Sequence, residues 1–354
     1  MKLFNYPVQV VDNIIVLLDP IPLISLSFCS RKTKERIKKV SFAIEDAWFG
    51  HEYKKDKGLF FEMKFPRTNI ELIVDFQPPP EGIETQLESL SVKIEDLLYD
   101  CRYKIDEQKV YVDCAEYDKA FIFFNYILDL VRAGITHITI NLNKIVDAKQ
   151  FISKPCFENV RKVFVIGGYA FSKKTTDLYD RFEKPLLYAR FLPKLFTGIS
   201  PNCKIFQADH LLFNHAYQVI EREHLLNLNS MYISLRVSTL DTDDIIAFLK
   251  QWLEGNNTRL CAFSIHSRYE NGTFDRQKIL EAVGAGPWDP TKRSQNFIYD
   301  SPMYNKTIID CSYDDDIERS DGLLATLRFT PCNRAFHFYV WHNRFNNAQA
   351  KSAN

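Results

Sequence analysis

The run LDPIPLISLSFCSRKTKERIKK, from Leu18 to Lys39, decides how the chain begins. Asp19 stands before Pro20, which is the usual order of a helix N-cap and a proline in the first helical turn. Ser30 can cap a further helix, in which six basic side chains accompany one acidic side chain. Another helical segment precedes the run, so the sequence predicts a compact unit of three short helices within residues 1–42.

The helix that precedes this run is apolar over most of its circumference. Its apolar side chains fall on two neighbouring stripes at helical spacing, Val8, Val11, Ile15 and Leu18 on the first, and Val10, Ile14 and Leu17 on the second. Three short helices cannot bury so much apolar surface among themselves. Either the rest of the chain or a partner protein therefore covers the remainder.

The composition of the whole chain is that of a folded protein. Its 354 residues suggest about two domains, and 46% hydrophobic residues are ample for a core. The 45 Lys and Arg residues are balanced by 45 Asp and Glu residues, so the chain lacks the basic excess of a general nucleic-acid or membrane-surface binder. Only 12 glycines are present, which disfavours phosphate-binding loops.

After the helices the pattern changes to short strands. Residues 43–82 are predicted to hold strands and a linker, because apolar residues alternate within 59–65 and within 70–76. The linker is Gln77–Gly82, whose three consecutive prolines cannot lie inside a helix or a central strand. The leucines and isoleucine that follow have helical spacing and predict a helix over about 83–100.

Helices and short apolar strands then alternate along the chain. The predicted strands are 110–112, 137–142, 162–166, 204–206, 231–235 and 260–265, and the predicted helices are 118–133, 176–190, 215–226 and 242–254. The strands recur about every 24 to 30 residues with one longer gap, which is similar to a degenerate leucine-rich-repeat array without its strict consensus. The fold class is therefore predicted as mixed, α+β or α/β, with a curved parallel sheet backed by helices.

The last part of the chain predicts a different arrangement. A helix over about 275–284 is followed by two strands, 323–329 and 336–341, that are expected to form an antiparallel hairpin. Residues 83–345 are predicted to be one repeat-like α/β domain. The polar residues 346–354 are predicted to be a flexible tail.

No motif for catalysis is recognisable. The sequence therefore predicts no catalytic residues, no metal ligands and no cofactor. The chain lacks the P-loop, dinucleotide-binding and HExxH patterns. Its eight cysteines are scattered singly and predict free buried thiols. His210 and His215 are five positions apart on a possible helix and would not share one face. The acidic segment Asp314–Asp321 predicts a solvated turn rather than a calcium loop, because the central glycine and alternating ligands are missing.

No secretory signal or membrane span is predicted. The apolar stretch Val8–Phe28 is long enough to consider, but Asp12, Asp19, Pro20 and Pro22 would each be costly at bilayer depth. Together with the unpaired cysteines, this predicts a cytoplasmic and/or nuclear protein that binds neither membrane nor nucleic acid.

Residues 3–40 resemble an F-box. The resemblance is carried by Tyr6-Pro7, Val11, Ile14-Ile15, Leu18-Asp19-Pro20, Leu23-Ile24, Leu26-Ser27-Phe28-Cys29-Ser30 and Lys32-Thr33-Lys34. The run from Leu18 to Lys39 is similar to the large nematode family of F-box proteins, which pair this module with an F-box-associated domain. Residues 248–255 with Arg259-Leu260, and residues 316–326, are similar to that domain and its tail. Tyr6 stands where the F-box usually has leucine.

This resemblance implies a substrate-recognition subunit of a Skp/cullin/F-box ubiquitin ligase, with no catalytic residues of its own. Its N-terminal helices would bind the Skp-type adaptor, which links the receptor to a cullin. The residues expected to supply that surface, or the packing beneath it, are Pro7, Val11, Ile14, Ile15, Leu18, Pro20, Leu23, Leu26 and Cys29.

The target protein of such a receptor is unknown, and two places are open for it. One is the repeat-like sheet, and the other is the C-terminal hairpin with its aromatic cluster Phe336, Phe338, Tyr339 and Trp341. Aromatic alternation on a hairpin is also typical of an ordinary packed sheet, so the sequence does not choose between them.

Two alternative functions also stay open. The first is an adaptor-binding protein-interaction scaffold without ubiquitin transfer, which copurification of the adaptor without a cullin would favour. The second is a hydrolase that uses a cysteine and a histidine of the repeat region, which a single hyper-reactive thiol would favour.

Overall fold

The fold is that of a computed structural model of the chain. The residues it describes are 6–40, 42, 44–51, 59–65, 70–82, 86–104, 107–114, 117–143, 153–167, 185–192, 199–268, 273–300 and 306–345. They fall into two compact units. The first unit comprises Met1–Asn141 with Gln150–Val163, and the second comprises Leu142–Lys149 with Phe164–Asn354.

The predicted domain boundaries stay predictions. The first unit contains the whole of residues 1–42 and 43–82 and also the beginning of the predicted domain 83–345. The predicted flexible tail, 346–354, lies outside the described residues.

The first unit begins with three helices, at the places that the sequence predicts. Their bounds are α1 (Val8–Leu17), α2 (Pro20–Phe28) and α3 (Arg31–Lys39). Pro20 occupies the first position of α2, although the side chain of Asp19 makes no capping hydrogen bond. Ser30 caps α3, because its hydroxyl accepts a hydrogen bond from the Thr33 amide at 3.1 Å.

Seven neighbouring strands and one long helix make up most of the rest of the described part of the first unit. Their bounds are β1 (Asp46–His51), β2 (Leu59–Phe65), β3 (Ile70–Asp75), β4 (Glu88–Ile94), β5 (Leu97–Lys104), β6 (Lys109–Val112), α4 (Tyr117–Val131) and β7 (His137–Asn141). The strand order is β7-β1-β2-β3-β6-β5-β4. β1 is parallel to β7 and β3 is parallel to β6, whereas the other neighbours are antiparallel.

Aromatic side chains join α4 to this sheet. Phe121 and Phe124 of α4 each lie 4.8 Å from the Phe49 ring of β1, and Phe124 lies 4.7 Å from the Phe61 ring of β2, between ring centroids. All four rings are fully buried or nearly so. The abundance of phenylalanine in the composition is therefore used, in this unit, to build the helix-to-sheet core.

The predicted helix over about 83–100 is wrong, because Glu88–Ile94 and Leu97–Lys104 form the antiparallel pair β4 and β5, while residues 83–85 lie outside the described residues. Glu95 and Asp96 form the turn between them, and Glu95 adopts a left-handed φ of 54°. Leu90 and Ile94 are four residues apart, which fits the period of a helix. Together with Val92 between them they also fit the two-residue period of a strand. The cross-strand partners, which the local pattern does not contain, decide between the two.

α2 and α3 are attached to the rest of the first unit by specific contacts. The Ile21 amide donates to the Gln108 Oε1 at 3.0 Å, and the Ser27 and Tyr126 hydroxyls are hydrogen bonded at 2.9 Å. The Phe28 ring stacks on the Tyr126 ring with centroids 4.9 Å apart. The N-terminal helices are therefore packed on α4 and on the strands of this unit.

The second unit contains the remaining strands and helices. The strands are β8 (Lys162–Ile166, in which the unit boundary falls), β9 (Tyr188–Phe191), β10 (His210–Phe213), β11 (Tyr232–Ser238), β12 (Ala262–Ser267), β13 (Gly286–Pro287), β14 (Asn296–Tyr299), β15 (Thr307–Asp310), β16 (Asp315–Glu318), β17 (Leu324–Phe329) and β18 (Ala335–Trp341). The helices are α5 (Arg222–Asn227), α6 (Thr242–Leu253) and α7 (Arg276–Val283). The mixed α and β class that the sequence predicts is confirmed.

The sheet of the second unit has a parallel half and an antiparallel half. β9, β10, β11 and β12 are successive parallel neighbours. β12 then pairs antiparallel with β18, and β18, β17, β16 and β13 continue antiparallel. β14 and β15 form a separate two-stranded hairpin. β17 and β18 confirm the predicted C-terminal hairpin, whose turn contains Asn333 with a φ of 53°.

Three other predicted elements of this region need correction. The predicted strand 204–206 is a turn of 3-10 helix (Lys204–Gln207), and the strand is β10, which begins six residues later. The predicted helix 176–190 ends in the strand β9, while residues 176–184 lie outside the described residues. The predicted helix 215–226 divides into a short 3-10 turn, Ala216–Gln218, and α5.

The helix α6 follows its sequence signals closely. Asp241 caps it, with its carboxylate accepting hydrogen bonds from the Asp243 and Asp244 amides at 2.9 and 3.0 Å, and the helix begins at Thr242, where the sequence predicts its start. Over the described ranges, no helix combines the length and the apolar character needed to span a bilayer.

The substitution Gly50→Ala is expected to destabilise the first unit by about 1 to 3 kcal/mol. A Cβ at Gly50 would lie 2.5 Å from the Thr139 Cβ and 2.7 Å from the Thr139 carbonyl oxygen, because β1 and β7 pair at this point. Urea unfolding followed by far-UV circular dichroism measures the change. Gly286→Ala is the matched control, since a Cβ there meets nothing within 4 Å. Equal losses in the two variants would contradict this account.

Candidate protein-binding surfaces

α1 has one buried side and one exposed apolar side. Val11 and Ile15 are 2% and 0% exposed and belong to the core of the first unit. On the other side Val10 is 42% exposed and Leu17 is 78% exposed, and Ile14 between them is half-buried. These three residues follow the i, i+4, i+7 spacing of one helix face. The helix therefore presents an apolar stripe to solvent.

The exposed stripe continues into the residues at the start of the helix. Tyr6 is 51% exposed, Val8 is 55% exposed, and Pro7 is exposed as well. We call the group formed by Tyr6, Pro7, Val8, Val10, Ile14 and Leu17 the α1 surface. Contiguous exposed apolar side chains of this kind are typical of protein interaction sites.

Charged side chains hold α1 in place beneath this surface. Arg36 of α3 donates to the Asp12 carboxylate at 2.7 Å and to the Val8 carbonyl oxygen at 3.2 Å. Lys34 and Lys38 of α3 in turn pair with Asp129 of α4 at 3.7 and 2.9 Å. Lys34, Arg36 and Lys38, three of the basic side chains of α3, therefore form ion pairs within the first unit. These ion pairs fix the orientation of the helices on which the α1 surface rests.

The nine residues predicted for the adaptor surface divide by exposure. Pro7 and Cys29 are exposed, Ile14, Leu18 and Leu26 are half-buried, and Val11, Ile15, Pro20 and Leu23 are buried. The structure brings Pro7 and Ile14 together on the α1 surface and places the four buried residues in the packing below. Whether any of the nine contacts an adaptor stays a prediction.

The predicted surface does not include Tyr6, Val8, Val10 and Leu17. The signal for the last two was present, because they form the second stripe of α1 together with Ile14. The sequence does not say which of the two stripes faces inward, since that depends on where distant parts of the chain pack.

The acidic segment Asp314–Asp321 is not the solvated turn that the sequence predicts. Part of it is the strand β16, and its carboxylates are paired with basic side chains. The pairs are Arg328 with Asp314 at 3.6 Å, Arg276 with Asp315 at 2.7 Å, Arg293 with Asp316 at 2.9 Å, Lys292 and Arg344 with Glu318 at 3.4 and 2.6 Å, and Arg319 with Asp321. In the part of the chain that the structure describes, no group of three or more His, Cys, Asp and Glu side chains is placed to hold a metal ion.

Arg293 is the centre of a buried network in the second unit. Its fully buried guanidinium donates to the Asp316 carboxylate at 2.9 Å and to the Cys311 carbonyl oxygen at 2.9 Å. Asp316 also accepts from the Thr326 hydroxyl at 2.7 Å, and that hydroxyl accepts from the Trp341 Nε1 at 2.8 Å. Each charge is therefore matched and hydrogen bonded, which a buried ion pair requires.

The aromatic cluster of the C-terminal hairpin is buried, so it offers no docking surface. Its members are Phe336, Phe338, Tyr339 and Trp341. Phe338 packs against Trp252 of α6 with ring centroids 5.0 Å apart. Tyr339 stacks on Phe297 of β14 at 4.9 Å. These rings fill the space between the sheet and the elements that cover its two faces.

Histidine side chains are used in packing. His210 lies on β10 rather than on the predicted helix, and its ring stacks on Tyr232 with centroids 4.5 Å apart. His137 stacks on Trp48 at 4.8 Å and lies 3.7 Å from the Asp46 carboxylate. Burial lowers the pKa of His210 and of His137 from the ordinary value. Both rings are therefore mainly neutral at pH 7.

The cysteines are free, as the sequence predicts, but they are not all buried. Burial is the main cause that raises the pKa of the Cys101 and Cys311 thiols to about 12. Cys29 and Cys332 are exposed. A hydrogen bond from the Arg334 amide is the main cause that lowers the pKa of Cys332. Thiol reactivity is therefore expected at the surface rather than in the core.

Part of the second unit is similar to a known protein family. Residues 200–265 match the protein family described as F-box associated. Two proteins of Caenorhabditis elegans are similar to the chain. Uncharacterized protein F59B2.9 is 32% identical over 142 residues, which cover 38% of this chain and 31% of the relative. Uncharacterized protein F59B2.8 is 28% identical over 147 residues, which cover 40% of this chain and 33% of the relative.

The resemblance to nematode F-box-associated proteins that the sequence predicts is confirmed by these matches. The chain spans about a third of the length of the curated relatives it matches. No solved structure matches the chain.

The substitution Arg293→Ala is expected to destabilise the second unit by about 3 to 5 kcal/mol, because it leaves Asp316 charged and buried without its partner. Arg276→Ala is the matched control, since Arg276 is about half exposed and its pair with Asp315 is worth about 0 to 1 kcal/mol. Urea unfolding followed by tryptophan fluorescence measures both losses. A loss in Arg293→Ala no larger than that of the control would contradict the role of the network.

Thiol labelling of the folded protein at pH 7 is expected to modify Cys332 and Cys29 first, with the buried thiols reacting only after urea unfolding. Iodoacetamide labelling followed by peptide mass spectrometry measures the order. Because its pKa is lowered, Cys332 should keep its reactivity to a lower pH than free cysteine does. A buried thiol that reacts faster than Cys332 would contradict this prediction and favour the hydrolase alternative.

Proposed function

We propose that the chain, whose residues 200–265 match the F-box-associated family, is a substrate-recognition subunit of a Skp/cullin/F-box ubiquitin ligase. In this proposal α1, α2 and α3 form the F-box, and the parallel strands of the second unit form a degenerate leucine-rich-repeat-like array that binds the target protein. The subunit works in the cytoplasm or the nucleus. It has no catalytic residues of its own.

The observation that carries the proposal is the α1 surface. Val10, Ile14 and Leu17 form an exposed apolar stripe on a helix whose other side is anchored in the core. Burying an exposed leucine or valine against a partner is worth about 1.5 to 3 kcal/mol. A helix that presents such a stripe fits the groove of a partner protein, which is a common mode of recognition between proteins. The F-box resemblance of residues 3–40 gives that partner its class, a Skp-type adaptor.

The proposed subunit acts by proximity. Binding of the adaptor by the first unit and of a target by the second unit holds the target beside a conjugating enzyme that other subunits carry. Tethering of this kind raises the effective concentration of the reacting groups to about the millimolar range for short flexible connections. The chemical step then needs no nucleophile or base from this chain, which suits the structural positions of its buried cysteines and histidines.

The variant Val10→Asp plus Leu17→Asp is expected to weaken binding of a nematode Skp-type adaptor by at least about 100-fold, because two apolar contacts are lost and two charges are desolvated. Both positions are exposed, so the fold should be unchanged. Isothermal titration calorimetry with the purified adaptor measures the affinity, and circular dichroism checks the fold.

Leu98→Asp is the matched control for the adaptor experiment. Leu98 is 69% exposed on β5, so this variant also replaces an exposed leucine of the first unit by aspartate, but away from α1. The control should bind the adaptor like the native chain. Native protein that does not bind the adaptor would contradict the proposed function. Adaptor binding without recovery of a cullin from the reconstituted mixture would favour the scaffold alternative.

A further inference from the structure

One part of the second-unit sheet is polar on the face that α6 does not cover. Along β11, Leu235 points to the buried face while Ser234 and Arg236 point to the opposite one. β12 repeats this pattern, with the half-buried Ser264 and the exposed His266 on the opposite face. The polar side chains of neighbouring strands therefore lie side by side.

Backbone pairing aligns these polar positions across the sheet. Three cross-strand pairs form one row. Arg190 of β9 pairs with Leu212 of β10, Leu212 pairs with Ser234 of β11, and Ser234 pairs with Ser264 of β12. Arg236 and His266 are the next residues of the same face on their strands. We call the group formed by Arg190, Ser234, Arg236, Ser264 and His266 the cationic face. The row continues through His337 to Arg328.

No carboxylate among the described residues pairs with the two arginines of this face, Arg190 and Arg236. The Arg190 Nε is buried, and among those residues it has no hydrogen-bond partner. Arg328 at the edge of the row differs, because it lies 3.6 Å from the Asp314 carboxylate. Buried polar atoms normally have a hydrogen-bond partner. The Arg190 Nε can therefore donate a hydrogen bond to an acceptor group of another molecule.

The two histidines beside the arginines, His266 and His337, are mainly neutral at pH 7. Burial, followed by the nearby Arg236, lowers the pKa of His266. Burial is also the main cause that lowers the pKa of His337 to about 4. The rings lie 5.6 Å apart between centroids and the Ser264 hydroxyl lies 3.4 Å from the His266 Nε2. Neutral imidazole and hydroxyl groups are suited to hydrogen bonds with a ligand's backbone or carboxylate oxygens.

We propose that the cationic face binds an acidic peptide segment of the target protein. This inference rests on the proposed function, because it gives the receptor its target-binding surface and the chemical class of the segment. Charge complementarity argues for carboxylates opposite Arg190 and Arg236. Tyr188 and Tyr232 lie on the same side of the sheet, but Tyr188 is buried and the Tyr232 ring is packed against His210 and Tyr299. Neither ring is open for a nucleic-acid base to stack on, which favours a peptide over a nucleic acid.

Strand geometry sets the spacing of the acidic residues. Arg236 lies two strand spacings across the sheet from Arg190 and two residues further along the strand direction. Their Cα atoms are therefore about 12 Å apart. An extended peptide rises about 3.3 Å per residue, so two carboxylates that reach both arginines are three or four residues apart. The face therefore selects glutamate or aspartate at spaced positions rather than in one block.

Binding is tested with the full chain and a fluorescein-labelled Gly/Ser peptide that carries a glutamate at every fourth residue. Fluorescence anisotropy should show binding that weakens at least about tenfold in Arg190→Gln plus Arg236→Gln, because each lost charge-assisted hydrogen bond is worth more than a factor of ten. Arg236→Gln alone, at an exposed position, should give part of the loss. Peptides with the same glutamates in one block, or with glutamine in their place, should bind more weakly.

Lys204→Gln plus Lys250→Gln is the control for net charge, since it removes the same charge from exposed positions of the second unit outside the cationic face. It should bind the peptide like the native chain. Equal weakening in the control, no binding of the spaced peptide, or tighter binding of a single-stranded oligonucleotide would overturn the inference.

Adaptor binding is measured in parallel to separate the two proposals. The arginine variant should keep native affinity for the Skp-type adaptor, and Val10→Asp plus Leu17→Asp should keep native affinity for the peptide. Adaptor binding without peptide binding would overturn this inference alone. Peptide binding without adaptor binding would overturn the proposed function but leave the acidic-peptide surface standing.

Discussion

The alternation of side chains along the strands is the constraint on which the second unit depends. Phe263 of β12 and Phe338 of β18 face α6, where the Phe248 ring lies 4.8 and 6.0 Å from theirs. The same pairing sets Ser264 opposite His337 on the other face. A register slip of one residue would exchange the two faces. One set of backbone hydrogen bonds therefore fixes both the helix-covered core and the polar surface.

The buried ion pair of Arg293 divides that second face into a covered part and an open part. By binding both the Cys311 carbonyl oxygen and the Asp316 carboxylate, Arg293 ties the hairpin β14–β15 to β16. The hairpin places Phe297 on Tyr339 and so covers the aromatic part of the face. Two desolvated charges are costly, but the fully hydrogen-bonded geometry offsets that cost and gives the hairpin one position. The part beyond the hairpin keeps polar side chains near solvent.

Local signals predicted much of the fold, and distant contacts decided what they missed. Pro20 and Ser30 mark helices by backbone geometry alone, so α1, α2 and α3 follow from the sequence. For β4 and β5 the spacing of Leu90 and Ile94 suits two periods, and only pairing with other strands decides. Only two of the six residues of the α1 surface are predicted, for the same reason: contacts such as that of Ile21 with Gln108, 87 positions along the chain, fix which side of the helices faces inward. The acidic strand was misjudged because Arg276 and Arg293, its partners, are remote in sequence.

The two candidate surfaces differ in the physics by which they would bind. The α1 surface is apolar, so its affinity would come from area removed from water and would change little with salt. The cationic face depends on charges near solvent, whose attraction is screened over about 8 Å at physiological ionic strength. A receptor needs a lasting contact with its adaptor and a releasable contact with its target. An apolar helix stripe in one unit and a charged sheet face in the other match those two needs, because no residue is shared and each contact can change without the other.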